Sequence, residues 1–127
     1  MKKNLHGFDE VIWDQAKSEA QRALVSRARL GKDMTYSELA ASIVSINLEA
    51  HDPRLFHLLY EISTDEARQG RGMLTAIVVH KTGDKKPGSG FFELAKSLGF
   101  ETKDRDAFWI GELKKVYGYW ANNTLEP

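Results

Sequence analysis

Residues 74–92 of this chain read LTAIVVHKTGDKKPGSGFF. The β-branched run at the start of this segment predicts a strand over residues 74–80. The following loop contains three glycines and one proline, and three lysines lie between His80 and Phe91. From Phe91 the pattern predicts a helix that reaches Leu98. Loops that are held in place by rigid elements often carry binding residues. A basic glycine-rich loop between a strand and a helix therefore favours a binding site at the loop.

The chain before this segment has the pattern of a helical domain. Apolar residues at helical spacing predict a first helix over residues 9–30, which Gly31 ends. A short extended segment at residues 34–36 comes next. Either Thr35 or Ser37 is expected to cap a second helix.

The third helix has the clearest start signal in the sequence. Asp52 is the expected N-cap and Pro53 occupies the first helical position, where its missing N–H costs nothing. Phe56 and Tyr60 lie one turn apart on a second face. The helical spacing predicts a buried stripe made of Leu55, Leu58, Leu59 and Ile62.

Three further elements are predicted with weaker signals. Ser63, with Glu66 three residues later, is a capping-box pattern that predicts a separate fourth helix ending at Gly70. Residues 100–102 are expected to form a returning strand. Asp104 or Asp106 then begins a last helix that reaches about residue 120.

This order of elements predicts a winged helix, in which the third helix is the recognition element and the strand and its loop form the wing. The expected fold class is therefore α+β: a single, mostly helical, winged-helix-like domain over residues 1–127. It has a small β element and an extra helix at each end.

Composition bounds the classes of protein that need to be considered. At 127 residues with 42% hydrophobic residues, the chain can bury one core. It has no cysteine, which excludes disulfides, thiolate metal sites and a cysteine nucleophile. Its first residues lack the apolar segment of a secretory signal, and no run approaches the roughly 20 apolar residues of a membrane span. We therefore expect a cytoplasmic protein with no membrane partner.

The 18 basic and 18 acidic residues are unevenly distributed along the chain. Residues 34–66 contain one Lys or Arg and six Asp or Glu, so the predicted recognition helix lies in an acidic segment. Residues 67–103 contain seven basic and three acidic residues. Any basic surface should therefore centre on the glycine-rich loop, although the local excess is smaller than in most strong nucleic-acid binders.

Residues 34–40, Met-Thr-Tyr-Ser-Glu-Leu-Ala, resemble a motif of the alkylguanine-DNA alkyltransferases and their alkyltransferase-like relatives. That family writes Thr-Tyr-Gly-Glu-Leu-Ala at the start of the second helix of its winged-helix half. Arg54 stands where the family opens its recognition helix with arginine. Residues 77–81, Ile-Val-Val-His-Lys, resemble its Ile-Pro-Cys-His-Arg site, and residues 88–92 resemble its Gly-Gly-Tyr loop.

The resemblance spans about residues 27–98 and implies a winged helix that binds DNA. It also implies that Tyr36 and Arg54 assist DNA binding and extrusion of a nucleotide. The family's reactive cysteine aligns with Val79, which has no nucleophilic atom, so alkyl transfer to the protein is excluded. Residues 87–92 also resemble a Pro-Gly-x-Gly-Phe-Phe pattern in small uncharacterised bacterial proteins, a likeness that implies no function.

The expected function is non-enzymatic nucleic-acid binding, with DNA as the possible partner. The alternative structural interpretation is that Tyr36 packs against the second helix, Arg54 pairs with Asp52 and the glycines only shape a solvated hairpin. The candidate nucleic-acid-binding residues are Tyr36, Arg54, His80, Lys81, Lys85, Lys86 and Ser89.

The main alternative function is a protein-interaction or regulatory module, possibly a homodimer. Aromatic residues in excess of one buried stripe often mark such contacts. The candidate interaction residues are Phe56 and Tyr60 on the third helix and Trp109 and Trp120 on the last one. A third, weaker alternative is a site for a phosphoryl or nucleotide ligand at the loop after His80, whose free N–H groups can form an anion nest.

Catalytic and metal sites have weak support in the sequence. No serine lies in a glycine-flanked nucleophile elbow. His57 and Glu61 are spaced for one helix face, near His51 and Asp52, but a metal needs a third convergent ligand. We therefore predict no catalytic residue, no metal and no cofactor.

Overall fold

The computed structural model describes residues 7–83 and 85–124. Within these residues the fold is mostly helical with one small sheet, so the α+β prediction is confirmed in this coarser form. No helix in the described part of the chain is long and apolar enough to cross a bilayer. In chain order the elements are α1 (Glu10–Arg29), β1 (Met34–Thr35), α2 (Tyr36–Ser42), α3 (Pro53–Arg68), a 3₁₀ helix (Leu74–Ile77), β2 (Val78–Val79), α4 (Ser89–Ser97) and α5 (Arg105–Ala121).

The predicted helix starts of α1, α2 and α3 are confirmed at the level of hydrogen bonds. The Asp9 carboxylate accepts from the Val11 N–H at 2.8 Å, and the Asp52 carboxylate accepts from the Arg54 N–H at 2.9 Å. Thr35 caps α2 and forms a full capping box with Glu38. These caps satisfy backbone donors that a helix leaves unpaired at its N-terminus.

The main core lies between α1, α3 and α5. The stripe predicted for α3 is buried as expected, and Trp13 and Leu24 of α1 and Val116 and Trp120 of α5 pack in the same cluster. The Trp13 indole N–H donates to the Glu61 carboxylate at 2.9 Å, which satisfies the polar end of a buried aromatic side chain.

A second apolar cluster fixes α4 against α5. Phe91, Phe92 and Ala95 of α4 pack with Met73, and the half-buried Trp109 packs beside them. The Trp109 indole N–H donates to the Ala76 carbonyl at 2.8 Å. This cluster holds the start of α4 in place, next to the end of β2.

The separate fourth helix predicted at Ser63 is wrong, because α3 continues without a break to Arg68. The Ser63 hydroxyl is buried and hydrogen-bonds the Thr75 hydroxyl of the 3₁₀ helix. Glu66 is also fully buried and pairs with Arg71. Both side chains of the apparent capping box therefore have tertiary partners, which the local pattern could not distinguish from a cap.

The predicted strand over residues 74–80 is correct only for β2, and the strand predicted at residues 100–102 does not form. A fully buried short apolar run has no periodicity that separates strand from helix, and residues 74–77 form a 3₁₀ turn. β2 pairs in parallel with β1, with Met34 opposite Val78. In the described residues the loop after β2 leads into α4, so it is not the β-hairpin that the term wing implies.

The turn between α3 and the 3₁₀ helix requires glycine at position 72. Gly72 has φ +91°, and a Cβ there would lie 3.0 Å from the Lys115 Cβ and 3.1 Å from the Val116 Cγ2. Only a residue without a side chain allows this close approach to α5 in that conformation.

Candidate functional site

A cavity of about 360 Å³ opens where four elements meet: the starts of α2 and α4, the middle of α3 and the end of β2. Four aromatic side chains line it, Tyr36, Phe56, Tyr60 and the buried Phe91, together with His80 directly after β2. This volume is at the lower end of the range of small-molecule sites. We call this cavity the aromatic pocket.

The rings of the aromatic pocket are arranged around Tyr36. The Tyr36 ring lies 5.9 Å from the Phe56 ring, edge to face, and 5.2 Å from the His80 ring. Phe56 and Tyr60 are four residues apart and therefore share one side of α3. Phe56 is 38% exposed, so an apolar ring is accessible at this site.

Tyr36 also fixes the loop that borders the pocket. Its hydroxyl accepts the Gly88 N–H at 3.0 Å. Burial raises the pKa of the Tyr36 phenol, and the Gly88 hydrogen bond only partly offsets this effect. The phenol is therefore neutral at pH 7 and keeps a proton that it can donate.

Gly88 and Gly90 bring the loop close to the pocket walls. A Cβ at Gly88 would lie 3.4 Å from both the Tyr36 hydroxyl and the His80 Nε2, and a Cβ at Gly90 would lie 3.3 Å from the Tyr60 hydroxyl. Gly88 has φ −69°, which any residue adopts. A Cβ at position 88 would therefore make ordinary van der Waals contacts with the pocket wall, and neither a backbone angle nor a clash requires glycine there.

The structure brings most of the predicted site residues together around His80. His80 and Ser89 line the aromatic pocket with the aromatic residues named above. Lys81 lies beside it on a shallow neighbouring depression that also includes Tyr36 and His80. Lys85 and Lys86 lie on a third concave surface, which again includes His80.

Arg54 is the predicted residue that the structure separates from this group. Its guanidinium donates to both carboxylate oxygens of Asp52, at 3.0 and 2.7 Å, and lies 5.1 Å from the centre of the Phe8 ring. The hydrogen bonds from the Arg54 side chain and backbone lower the pKa of Asp52 to about 2. This geometry matches the alternative interpretation, in which Arg54 pairs with Asp52. The positive charge of Arg54 is therefore compensated.

We expect Arg54→Ala to raise the pKa of Asp52 from about 2 toward its ordinary value near 3.8. In the wild type the folded-state pKa of Asp52 is depressed, so its contribution to stability is present above the unfolded pKa and is lost as pH falls from about 4 to 2. Arg54→Ala should remove part of that dependence. The measurement is a carboxyl-detected NMR titration of both proteins, and an unchanged Asp52 titration would contradict the assigned pair.

The tryptophans proposed as interaction residues are engaged inside the fold. Trp120 is 2% exposed and packs in the main core, so it does not form part of an accessible surface. Trp109 is half-buried and hydrogen-bonded to Ala76. The aromatic excess of α5 therefore serves two internal clusters, because α5 contacts both.

Val79 is not one of the described residues that line the aromatic pocket. The resemblance aligns this residue with the family's reactive cysteine. Its neighbours Val78 and His80 do line the pocket. Side chains alternate along extended backbone, so Val79 points away from the cavity.

Sequence reasoning missed several polar residues of the site, of which two carry charge next to the predicted residues. Glu93 of α4 lines the aromatic pocket one turn after Ser89 and is exposed. Arg105, at the start of α5, lies on the same concave surface as Lys85. Nothing local in the sequence connects these residues with the loop. In the described ranges, no three His, Asp or Glu side chains converge in a way that could hold a metal.

The fold and the site thus define a mostly helical α+β domain with an aromatic pocket next to a basic loop. Comparison of the chain with protein-family models, curated proteins and solved structures finds no match.

Proposed function

We propose that this protein is a non-enzymatic, winged-helix-like nucleic-acid-binding protein that takes one unstacked base into the aromatic pocket. The observation that carries the proposal is the grouping of Tyr36, Phe56 and Tyr60 around one cavity beside His80 and Lys81. Aromatic side chains that stack on a base, next to cations that meet the backbone, are the usual means of binding single-stranded nucleic acid.

The polar groups at the pocket fit the edge of a base. The neutral Tyr36 phenol and the Ser89 hydroxyl can donate hydrogen bonds, and the exposed Glu93 carboxylate can accept them. A planar ring that carries both donors and acceptors would use both kinds of group. Enzymes and binding proteins that hold an extruded base recognise it in this way.

The charges around the pocket favour contact through the loop and not through the start of α3. Lys81 and Lys85 are exposed, and neither forms an ion pair with another described residue. Arg54 is neutralised by Asp52 within the acidic segment. The proposed contact is therefore smaller than that of a typical recognition helix, and it should weaken as salt rises.

The protein-interaction alternative now depends on Phe56 and Tyr60 alone, because Trp109 and Trp120 pack inside. These two residues line a concave surface with Tyr36. A cavity of this size suits a single planar group better than a protein surface, whose contacts are broad.

We expect the wild-type protein to bind a short fluorescein-labelled single-stranded DNA at low salt, and Phe56→Ala to weaken that binding by about 1–3 kcal/mol. Phe56 is partly exposed, so removal of its ring should spare the core. Ile110→Ala is the matched control, because it also removes a partly exposed apolar side chain, from α5 and outside the pocket. Fluorescence anisotropy titrations at several salt concentrations measure both effects.

Two results would contradict the proposed function. The first is binding by the wild type that is no stronger than that of an unrelated protein of zero net charge. The second is an equal loss in Phe56→Ala and Ile110→Ala, which would show that the aromatic pocket does not take part.

A further inference from the structure

The third concave surface has a volume of about 390 Å³ and shares His80 with the aromatic pocket. It is bounded by the loop after β2 and by the first turn of α5. We call it the basic cleft. The residues that define its chemistry are His80, Thr82, Lys85, Lys86, Arg105 and Asp106.

Cations outnumber carboxylates in the basic cleft. Its one described acid, Asp106, forms an ion pair with Lys86 at 3.0 Å and so joins the loop to α5. Lys85 and Arg105 form no ion pair with any other described residue. Among the described residues of the cleft, two positive charges are left after the pair is counted, and the Thr82 hydroxyl is a further donor.

A ring contact orients one of the two uncompensated cations, Arg105. The Arg105 guanidinium lies over the Phe92 ring, 4.9 Å from its centre, which orients its planar group. Lys85 has φ +51°, a conformation that is uncommon for a residue other than glycine, asparagine or aspartate.

The basic cleft and the aromatic pocket are adjacent halves of one surface. His80 lines both, and the backbone from Lys86 to Gly88 runs between them. The His80 N–H donates to the Lys86 carbonyl at 3.1 Å, and the Gly88 N–H donates to Tyr36. Two hydrogen bonds thus fix this stretch of loop relative to both cavities.

We propose that the basic cleft binds a phosphate group, namely the backbone phosphate next to the base that enters the aromatic pocket. Guanidinium and ammonium groups are the usual protein ligands of phosphate, and such contacts fix the register of a strand. The identification of this phosphate rests on the proposed function. The anion site itself rests on the residues of the basic cleft.

The test uses the double variant Lys85→Gln/Arg105→Gln. Its control is Arg68→Gln/Lys114→Gln, which removes the same charge from exposed positions on α3 and α5 outside the cleft. The probes are single-stranded DNA, a nucleoside 5′-monophosphate and inorganic phosphate. Anisotropy follows the DNA, and amide chemical shifts of residues 80–88 and of Arg105 follow the small probes.

We expect the cleft variant to weaken DNA binding about tenfold at low salt and to reduce the slope of log affinity against log salt by about 2, while the control changes both much less. Inorganic phosphate and the monophosphate should shift the cleft amides of the wild type but not those of the cleft variant.

The outcomes separate this inference from the proposed function. If the wild type binds DNA and both double variants behave alike, the phosphate site is overturned and nucleic-acid binding stands. If DNA does not bind but the small phosphates shift the cleft amides, the proposed function fails and the cleft is a site for a free phosphate ester. If no phosphate probe affects the cleft, the inference is overturned.

Discussion

Arg71→Met is expected to lower the free energy of unfolding by about 3–5 kcal/mol. The Glu66 carboxylate is fully buried at the end of α3 and pairs with the Arg71 guanidinium. Gln21 donates to the other carboxylate oxygen at 2.8 Å but carries no charge. Removing Arg71 would leave a buried carboxylate without a counter-charge, and desolvation of an unpaired charge is costly.

Arg71 also contributes through its position over two aromatic rings. Its guanidinium carbon lies 5.6 Å from the centre of the Trp120 ring and 5.8 Å from that of Tyr119. It therefore connects the turn after α3 with the end of α5. Arg71→Lys should cost less than Arg71→Met, because it keeps the charge and loses only the planar group.

Urea unfolding followed by far-ultraviolet circular dichroism measures these differences. Arg68→Met is the matched control, since Arg68 is exposed in the last turn of the same helix, and we expect a change within about 0.5 kcal/mol. A loss for Arg71→Met no larger than that for Arg68→Met would show that the buried pair has no net role in stability.

Trp120→Ala is expected to cost about 3–5 kcal/mol, because it removes a large side chain that is 2% exposed between α1 and α5. The Trp120 indole N–H has no hydrogen-bond partner among the described residues. Trp120→Phe should therefore lose no hydrogen bond, and we expect it to cost about 1.5 kcal/mol or less.

The same variant separates a core role for Trp120 from an interface role. Urea unfolding gives its effect on stability, and size-exclusion chromatography gives the oligomeric state of the wild type and the variant. A core residue lowers stability without a change of oligomeric state. Dissociation of a wild-type dimer in Trp120→Ala, with unchanged stability of the folded monomer, would instead place Trp120 at an interface.

The parts of the fold that the sequence predicted are those governed by local interactions. Asp52 and Pro53 predicted the start of α3 because an N-cap and an N1 proline act within one turn. Phe56 and Tyr60 were placed on one helix face because they are one turn apart. The separate helix at Ser63 failed for the opposite reason: Thr75 and Arg71, its neighbours in space, decide what Ser63 and Glu66 do.

The candidate site shows the same division. The loop, its lysines and the helix face with Phe56 were recognised from the chain alone. That Tyr36 completes an aromatic pocket depends on the parallel pairing of β1 with β2, a contact between segments more than forty residues apart. The docking of α5 against α4 likewise brings Arg105 and Asp106 to the loop.

The sequence by itself determined most of the α-helices, the Asp52 cap of α3, the basic glycine-rich loop and the absence of a cysteine nucleophile. The tertiary structure decided that Arg54 forms an ion pair with Asp52 and that Trp120 is a core residue. It also decided that His80 lines both an aromatic pocket and a basic cleft. The physical reason is the range of the interactions. Caps and helix faces depend on residues within one or two turns, whereas pockets and compensated charges depend on which distant elements pack together.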